Sequence, residues 1–289
     1  VLCDGKQVAM GTIVDPKGYI LTKASEVVTA PGKLQCQVFD ENLDSRKLEA
    51  HVVGQLQQYD LAMLRIAADD LRPVQWATGQ PPDVGSLLAT TTAGSAEPLA
   101  VGIVSVAPQE VAGDAVLGIR LQDAGDGVLI TEVIPHSAAD LAGLQEGDVV
   151  LRVDRDPVAG SDEIVTEIGD RLPGDGVELH VRRGQEDLTL EARLGRRAEL
   201  DLEYGDFQSF LGGNLSFRRT GFPQVIQHDT FLLPEHCGGP LVDLEGRVVG
   251  INIARAERIA SYALPAATVV PWIDRLKQGL SDASVARRT

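Results

Sequence analysis

The chain opens as a series of short apolar runs separated by turn residues. Residues 8–14 and 19–22 flank the turn Asp15-Pro16-Lys17-Gly18, which predicts a hairpin because proline presets φ and glycine supplies positive φ. Similar runs follow at 34–39, 47–53, 60–66 and 87–91. Many short strands with few helix signals favour an antiparallel β-barrel.

Residues 116–195 follow a different pattern, in which strands alternate with short helices. One helix is expected over 135–144, where Gly143 ends it, and a second from an N-cap at Ser161 to residue 171. Strands are expected at 127–133, 149–153, 177–181 and 188–194. This alternation predicts an independent α+β module.

Strand-like sequence returns after residue 222. Apolar runs at 222–230, 240–242, 246–252 and 261–265 predict further strands, and a closing helix is expected over 269–280. The sequence His236-Cys237-Gly238-Gly239-Pro240 lies between the first two of these runs.

Five motifs, in one order along the chain, carry a resemblance to a known family. They are Gly-Thr-Ile-Val at 11–14, Gly-Tyr-Ile-Leu-Thr at 18–22, Val-Val-Gly at 52–54, Tyr-Asp-Leu-Ala-Met-Leu-Arg-Ile at 59–66 and Val-Gly-Ile-Val-Ser at 101–105. Together they resemble the HtrA/Deg family of trypsin-fold proteases. The resemblance implies a trypsin-like double β-barrel.

The resemblance also implies a catalytic triad, from which this chain departs. Ser25 falls on the position of the catalytic histidine, or Glu26 does if the loop is displaced by one residue. Cys237 stands where the family's Gly-x-Ser-Gly-Gly-Pro turn presents its serine, whereas Asp60 matches the orienting aspartate. The oxyanion hole would use the backbone N–H groups of Cys237 and Glu235, and the family has glycine at the second of these positions.

These departures weaken the expected proteolytic chemistry. Loss of one oxyanion donor lowers kcat roughly 10²–10³-fold, and loss of the base lowers it about 10⁶-fold. Among side-chain nucleophiles, a thiol depends least on a base. An endopeptidase that uses Cys237 as its nucleophile therefore stays an alternative, with His228 or His236 as the substitute base. The other histidines fall where the family has no functional histidine: His51, His136 and His180.

The module at 116–195 is similar to the PDZ domains of bacterial HtrA proteins. The resemblance implies that it binds peptides or protein C-termini by β-augmentation, with a terminal carboxylate held by backbone N–H groups. The implied carboxylate loop comprises Val116, Leu117, Gly118 and Ile119, and the implied side-chain pocket is lined by Ile164, Val165 and Ile168. The alternative is that these apolar side chains belong to the core of the module.

The expected fold is mostly β, a trypsin-like double β-barrel with an inserted α+β PDZ domain. The module interrupts the second barrel, which is tolerated when the module's termini lie close together. The expected boundaries are 1–96 for the first barrel, 97–115 for the start of the second, 116–195 for the PDZ domain, 196–221 for a connector, 222–275 for the rest of the second barrel and the closing helix, and 276–289 for a tail.

Composition limits the partners. The 289 residues carry a formal net charge of −16, which argues against nucleic acid and anionic membranes because both are bound by clustered Lys and Arg. No apolar run approaches the roughly 20 residues of a membrane helix. The sequence opens at Val1 directly in a strand-like pattern and contains no signal peptide. Three cysteines lack the spacing of a zinc site, so no metal or cofactor is expected. Cys3 and Cys36 are either paired or two buried thiols.

The sequence therefore favours an HtrA-like pseudoprotease that binds peptides through its PDZ domain. A role in protein quality control, and a location in the periplasm or cell envelope, are implied by the family alone. Two alternatives stay open: the cysteine endopeptidase, and a regulatory subunit that pairs with itself or with an active HtrA homologue.

Overall fold

The computed structural model describes residues 1–28, 30–40, 42–77, 79–125, 127–196 and 213–279. The described residues form two compact units, one made of Val1–Val111 together with 213–279, and the other of 112–196. The second unit is therefore an insertion in the sequence of the first. Most of the expected connector and most of the expected tail lie outside the described residues.

The first unit begins with an antiparallel sheet of seven strands. They are β1 (Leu2–Cys3), β2 (Lys6–Gln7), β3 (Gly11–Asp15), β4 (Tyr19–Lys23), β5 (Leu34–Phe39), β6 (Ser45–Leu56) and β7 (Leu61–Ile66), in the order β2-β1-β5-β6-β7-β4-β3. β3 and β4 form the predicted hairpin, with Gly18 at a φ of +85°. Among the described strands this sheet does not close into the expected barrel, because β2 and β3 are its edges.

The next two strands correct a predicted boundary. β8 (Leu87–Thr90) and β9 (Ala100–Val111) pair with each other and belong to the second barrel. The sequence pattern predicts that the first barrel ends at residue 96, which would place β8 in that barrel, and this prediction is wrong. A short strand carries no signal for the sheet it joins, since pairing is decided by contacts distant in sequence.

The inserted unit is an antiparallel sheet with two helices, Ala138–Ala142 and Ser161–Gly169. Its strands are β10 (Ala115–Val116), β11 (Ile119–Ala124), β12 (Gly127–Val133), β13 (Val149–Val153), β14 (Asp156–Pro157), β15 (Gly176–Arg183), β16 (Glu186–Arg193) and β17 (Gly195–Arg196). The sheet runs β11-β12-β13-β15-β16, with β14 beside β13, and β10 pairs separately with β17. Ser161 is the first residue of its helix rather than the predicted N-cap, because Gly160 holds the cap position.

Four strands after the insertion complete the second barrel. They are β18 (Phe222–His228), β19 (Pro240–Val242), β20 (Val248–Arg255) and β21 (Ser261–Pro265), and the closed order is β18-β21-β20-β19-β8-β9. The expected closing helix is divided into Ala266–Val269, Val270–Trp272 and Ile273–Lys277. Pro271 lies in the middle segment, where its missing N–H interrupts the α-helical hydrogen bonding.

One apolar core joins the two sheets of the first unit. Leu21 and Met63 of the first sheet pack in the same buried cluster as Val225, Ile251 and Leu264 of the second. This shared core fixes the ends of β4 and β7 relative to β20, and the candidate site lies at those ends. No helix within the described ranges has the length and apolar character needed to span a membrane.

Candidate functional site

Asp60 and Ser25 form a close polar pair at the site. Asp60 follows the 3-10 turn Gln57–Tyr59 in the left-handed conformation, with a φ of +55°, and is 3% exposed. Its Oδ1 accepts the backbone N–H of Ser25 at 2.7 Å, and its Oδ2 accepts the Ser25 hydroxyl at 2.8 Å. A hydroxyl has no basic nitrogen, so this pair cannot act as a histidine–aspartate base.

A buried lysine contacts the same carboxylate. Lys23 ends β4, and its side chain is fully buried. Its Nζ lies 3.7 Å from Asp60 Oδ2 and 3.7 Å from Glu26 Oε1, and donates to the carbonyl oxygen of Arg218 at 2.9 Å. Burial raises the pKa of Glu26, and the Lys23 charge opposes that shift. The positive charge of Lys23 therefore compensates the Asp60 carboxylate. In a working triad, that carboxylate would stabilise the imidazolium of the catalytic histidine.

The Cys237 thiol is fully enclosed. Its Sγ lies 3.6 Å from the Ser216 hydroxyl oxygen and 3.9 Å from the carbonyl oxygen of Leu233. Burial raises the pKa of the Cys237 thiol, although the charge of Lys23 acts in the opposite direction. The nucleophilic thiolate is therefore disfavoured at this position.

Backbone contacts hold the turn around Cys237. The Met10 N–H donates to the Cys237 carbonyl at 2.8 Å, and the Gly238 N–H donates to the Asn252 carbonyl at 2.7 Å. Gly238 has a φ of +92°, and a Cβ there would lie 2.3 Å from the Met10 carbonyl oxygen. Only glycine fits this position, so Gly238 is needed for the shape of the turn, whatever side chain stands at position 237.

The backbone N–H of Cys237, which is the expected oxyanion donor, bonds instead to a carbonyl of the turn that precedes it. Pro234–His236 form a 3-10 turn, and the Cys237 N–H donates to the Pro234 carbonyl at 3.0 Å. Glu235 lies half-buried in this turn, and its own carbonyl accepts the Gln7 side-chain amide at 2.9 Å. An oxyanion can be stabilised here only if the turn rearranges.

Neither candidate histidine contacts the thiol. His228 is fully buried with its Nδ1 2.7 Å from the Thr230 hydroxyl oxygen, and burial lowers its pKa to about 4. His236 Nδ1 accepts the Leu233 N–H at 3.0 Å, and burial lowers its pKa as well. Within the described part of the chain, no imidazole lies at hydrogen-bonding distance from the Cys237 Sγ.

A second candidate site lies along β11, at the edge of the sheet of the inserted unit. The helix Ser161–Gly169 lies beside this strand, because the Ser161 N–H donates to Asp123 Oδ1 on β11 at 2.7 Å. Ile119 on β11 is partly buried against the core, and Val165 on the helix is 58% exposed. An edge strand beside a helix is the geometry that accepts an extended peptide by β-augmentation.

The residues predicted to bind peptide occupy four kinds of environment. Gly118 is buried with a φ of +82°, and its carbonyl accepts the Ile134 N–H at 2.9 Å. Val116 pairs with Gly195 between β10 and β17. Ile119 and Val165 present apolar surface beside β11. The remaining three are core residues: Leu117, Ile164 and Ile168.

Lys23 and Ser216 lie at the site, although no sequence motif marks either of them. Lys23 follows the apolar run of β4 directly, and a lysine that continues a buried strand is the one signal that could have marked it. Ser216 lies in the expected connector, and no spacing or motif relates it to Cys237.

The cysteines and acidic residues give no sign of a disulfide or a metal centre in the described ranges. Cys3, Cys36 and Cys237 are buried free thiols, which settles the pairing question for Cys3 and Cys36. No group of three or more His, Cys, Asp or Glu side chains among the described residues is arranged to hold a metal ion.

Two family models match the chain. The trypsin-like peptidase domain model matches residues 9–140, and the PDZ domain model matches residues 115–194. The PDZ match coincides with the inserted unit, and the peptidase match begins in the first sheet. The molecule is therefore a trypsin-like peptidase fold that carries a PDZ domain.

Several named proteins are similar in sequence to this chain. A probable periplasmic serine endoprotease DegP-like from Ectopseudomonas mendocina (strain ymp) is 32% identical over 148 residues, which cover 51% of this chain and 30% of that protein. The protein of the same name from Hahella chejuensis (strain KCTC 2396) is 25% identical over 277 residues, which cover 67% of this chain and 58% of that protein. Serine protease HTRA3 from Mus musculus is 36% identical over 62 residues, covering 22% of this chain and 13% of that protein.

The chain is an HtrA-like, PDZ-containing homologue of the trypsin-like proteases. It spans 30% and 58% of the length of the two DegP-like relatives.

Two solved structures show weak similarity. The serine endoprotease from Yersinia pestis is 20% identical with a TM-score of 0.33, covering 65% of this chain and 88% of that chain. The HtrA3 PDZ domain bound to a phage-derived ligand is 27% identical with a TM-score of 0.26, covering 28% of this chain and 84% of that chain.

Proposed function

We propose that this protein is a non-proteolytic HtrA homologue that binds peptides or protein C-termini through its PDZ domain. The enclosure of Cys237 carries the first part, because a fully buried thiol with a raised pKa lies beside Ser216 and a carbonyl rather than an imidazole. Acyl transfer needs a base and an oxyanion hole as well as a nucleophile. The Ser25–Asp60 pair and the hydrogen bond from Cys237 to Pro234 therefore support the same conclusion.

Peptide binding is supported by the edge of β11. An added peptide strand would pair with the backbone of Ile119–Ala124, and Val165 would contact an apolar side chain of the peptide. In this interaction the backbone hydrogen bonds provide affinity, and the apolar contact selects the sequence.

We further propose a location in the periplasm or cell envelope and a role in protein quality control. The two DegP-like relatives described above are named as probable periplasmic proteins, and this is the support for the location. A role in quality control fits a protein that binds exposed polypeptide ends without cleaving them.

Fluorescence anisotropy of labelled peptides tests the binding proposal. A peptide with an apolar C-terminal residue and a free carboxylate should bind, and the same peptide with an amidated end should bind at least about tenfold more weakly, or about 1.4 kcal/mol. Val165→Glu should weaken binding by a similar factor, because it puts a charge where an apolar contact is expected.

Thr166→Glu is the matched control, since Thr166 is an exposed neighbour on the same helix. This variant should bind like the unmodified protein. Equal affinity for the carboxylate and amide peptides, or equal effects of the two glutamate variants, would refute peptide binding at this edge.

A further inference from the structure

Residues 214–218, Asn-Leu-Ser-Phe-Arg, lie against the candidate site. We call this segment the strap. It belongs to the same compact unit as the two sheets of the first unit. The strap contacts residues of both sheets around Cys237, although it lies in the part of the sequence expected to be a connector.

On the side of the second barrel, the strap pairs with the end of β20. The Ser216 N–H donates to the Arg255 carbonyl at 3.0 Å, and the Arg255 N–H donates to the Ser216 hydroxyl at 2.9 Å. Ser216 is fully buried, and its Oγ lies 3.6 Å from the Cys237 Sγ. An extended polypeptide that paired with the end of β20 would use the same backbone groups of Arg255.

On the side of the first sheet, charged side chains hold the strap. Lys23 Nζ donates to the Arg218 carbonyl at 2.9 Å. The Arg218 guanidinium donates to the carbonyl of Gln57, to that of Gln58 at 2.9 Å and to that of Gly221 at 2.8 Å. Hydrogen bonds from charged donors are stronger than neutral ones, so they anchor the strap to the turn that precedes Asp60.

We propose that the strap acts as an internal pseudosubstrate, which occupies the place of an extended peptide beside Cys237 and closes the cleft between the two sheets of the first unit. Its backbone pairs with Arg255, its Ser216 side chain covers the thiol, and its Arg218 end is fixed by the first sheet. Release of the strap from an otherwise folded unit exposes Cys237 and the backbone of Arg255. This proposal is independent of the PDZ edge and stands whether or not that edge binds peptides.

A disulfide cross-link tests whether the strap lies at Cys237 in solution. In a Ser216→Cys variant of the full chain, diamide should oxidise the new thiol and that of Cys237 to a disulfide, and the diamide takes up both hydrogens. The 3.6 Å between Ser216 Oγ and Cys237 Sγ is the basis of this expectation. Asn214→Cys is the control, because Asn214 is exposed in the same strap. Equal cross-linking in the two variants, or none in Ser216→Cys, would overturn the proposal.

Alkylation of Cys237 tests whether the strap closes the cleft. Iodoacetamide reacts when the Cys237 thiolate displaces iodide, and mass spectrometry gives the rate at each cysteine. Arg218→Ala should raise the rate at Cys237 at least about tenfold, because lost hydrogen bonds to a charged group favour local opening. Arg219→Ala removes the same charge from the next residue, which makes no side-chain hydrogen bond or ion pair within the described residues, and should change the rate less than about twofold.

Buried Cys36 in the first sheet reports global unfolding in the same samples. Its alkylation rate should be equal in the two arginine variants. The proposal would be wrong if Arg218→Ala left Cys237 as slow as in Arg219→Ala, or if Cys36 and Cys237 accelerated together.

Discussion

Cys237 and His228 are both fully buried, and burial disfavours the charged form of each. The pKa of the thiol is raised, and the pKa of the imidazole is lowered to about 4. A neutral thiol and a neutral imidazole, which do not touch, lack the thiolate–imidazolium character of a catalytic cysteine. At the residue scale these two groups therefore behave as parts of the core.

The lowered pKa of His228 predicts acid-sensitive stability. The folded value of about 4 lies below the unfolded value of about 6.5, so protonation favours the unfolded chain and stability falls as pH drops from 6.5 towards 4. This imidazole should account for about 2 kcal/mol of the free energy of unfolding lost between pH 7 and pH 5. Urea unfolding at pH 7 and at pH 5 measures this loss in the free energy of unfolding.

His228→Gln should remove that part of the pH dependence, whatever it does to stability at pH 7. His180→Gln is the control, because His180 is 31% exposed and lies 2.9 Å from Glu178 at the surface. A pH dependence that is the same in wild type and His228→Gln would show that His228 is not the group responsible.

At the scale of elements, the turn around Cys237 keeps the backbone path of the motif but does not leave its oxyanion donor free. The positive φ of Gly238 and its close approach to Met10 keep the backbone path of the motif. The 3-10 turn just before it directs the Cys237 N–H to Pro234. The motif is therefore retained as a structural turn, while its oxyanion donor is occupied.

Restoring side chains alone should not restore full proteolysis. A double variant, Ser25→His with Cys237→Ser, supplies a base and a serine but leaves the backbone amide of residue 237 bonded to Pro234 and the carboxylate of Glu235 in the turn. Loss of one oxyanion donor costs roughly 10²–10³ in kcat, so kcat/KM on a peptide anilide should stay at least about 10²-fold below that of an active HtrA-type enzyme assayed in parallel. A double variant that matched the active enzyme would show that the hole is functional.

Local turn chemistry made parts of the fold predictable from sequence. The β3–β4 hairpin follows from Asp15-Pro16-Lys17-Gly18, and the α+β pattern of the inserted unit from its alternating strands and helices. The sheet to which β8 belongs was assigned wrongly, because pairing with β9 and β19 is not encoded in the four residues of Leu87–Thr90. Contacts distant in sequence decided this element.

The candidate site was predictable only where a motif marked it. Cys237 and Asp60 stand in recognisable sequence, and the structure places Asp60 against Ser25. Ser216 stands in a stretch without a pattern, and its position at the thiol depends on hydrogen bonds to Arg255 formed across 39 residues of sequence. The strap could therefore be found only from the three-dimensional structure.

At the scale of the whole molecule, one unit interrupts the sequence of another. The chain leaves the first unit at the end of β9 and has returned to it before β18 begins. β10 and β17 pair Ala115 with Arg196, which holds the entry and exit of the inserted unit together. Close termini allow such an insertion without disturbing the host fold. The strands of the first unit stay paired on both sides of the insertion, and the PDZ edge is the part proposed to bind ligands.

Cleavage of unfolded casein by the full chain is the most direct test of the central claim that this homologue is not a protease. An active HtrA-type enzyme in parallel shows that the substrate is competent. Wild type and Cys237→Ala should release fragments at the same background rate, because the thiol is enclosed and no imidazole of the described residues lies at hydrogen-bonding distance from it. Cleavage by wild type that disappears in Cys237→Ala would overturn the proposal that the protein is non-proteolytic and identify Cys237 as a working nucleophile.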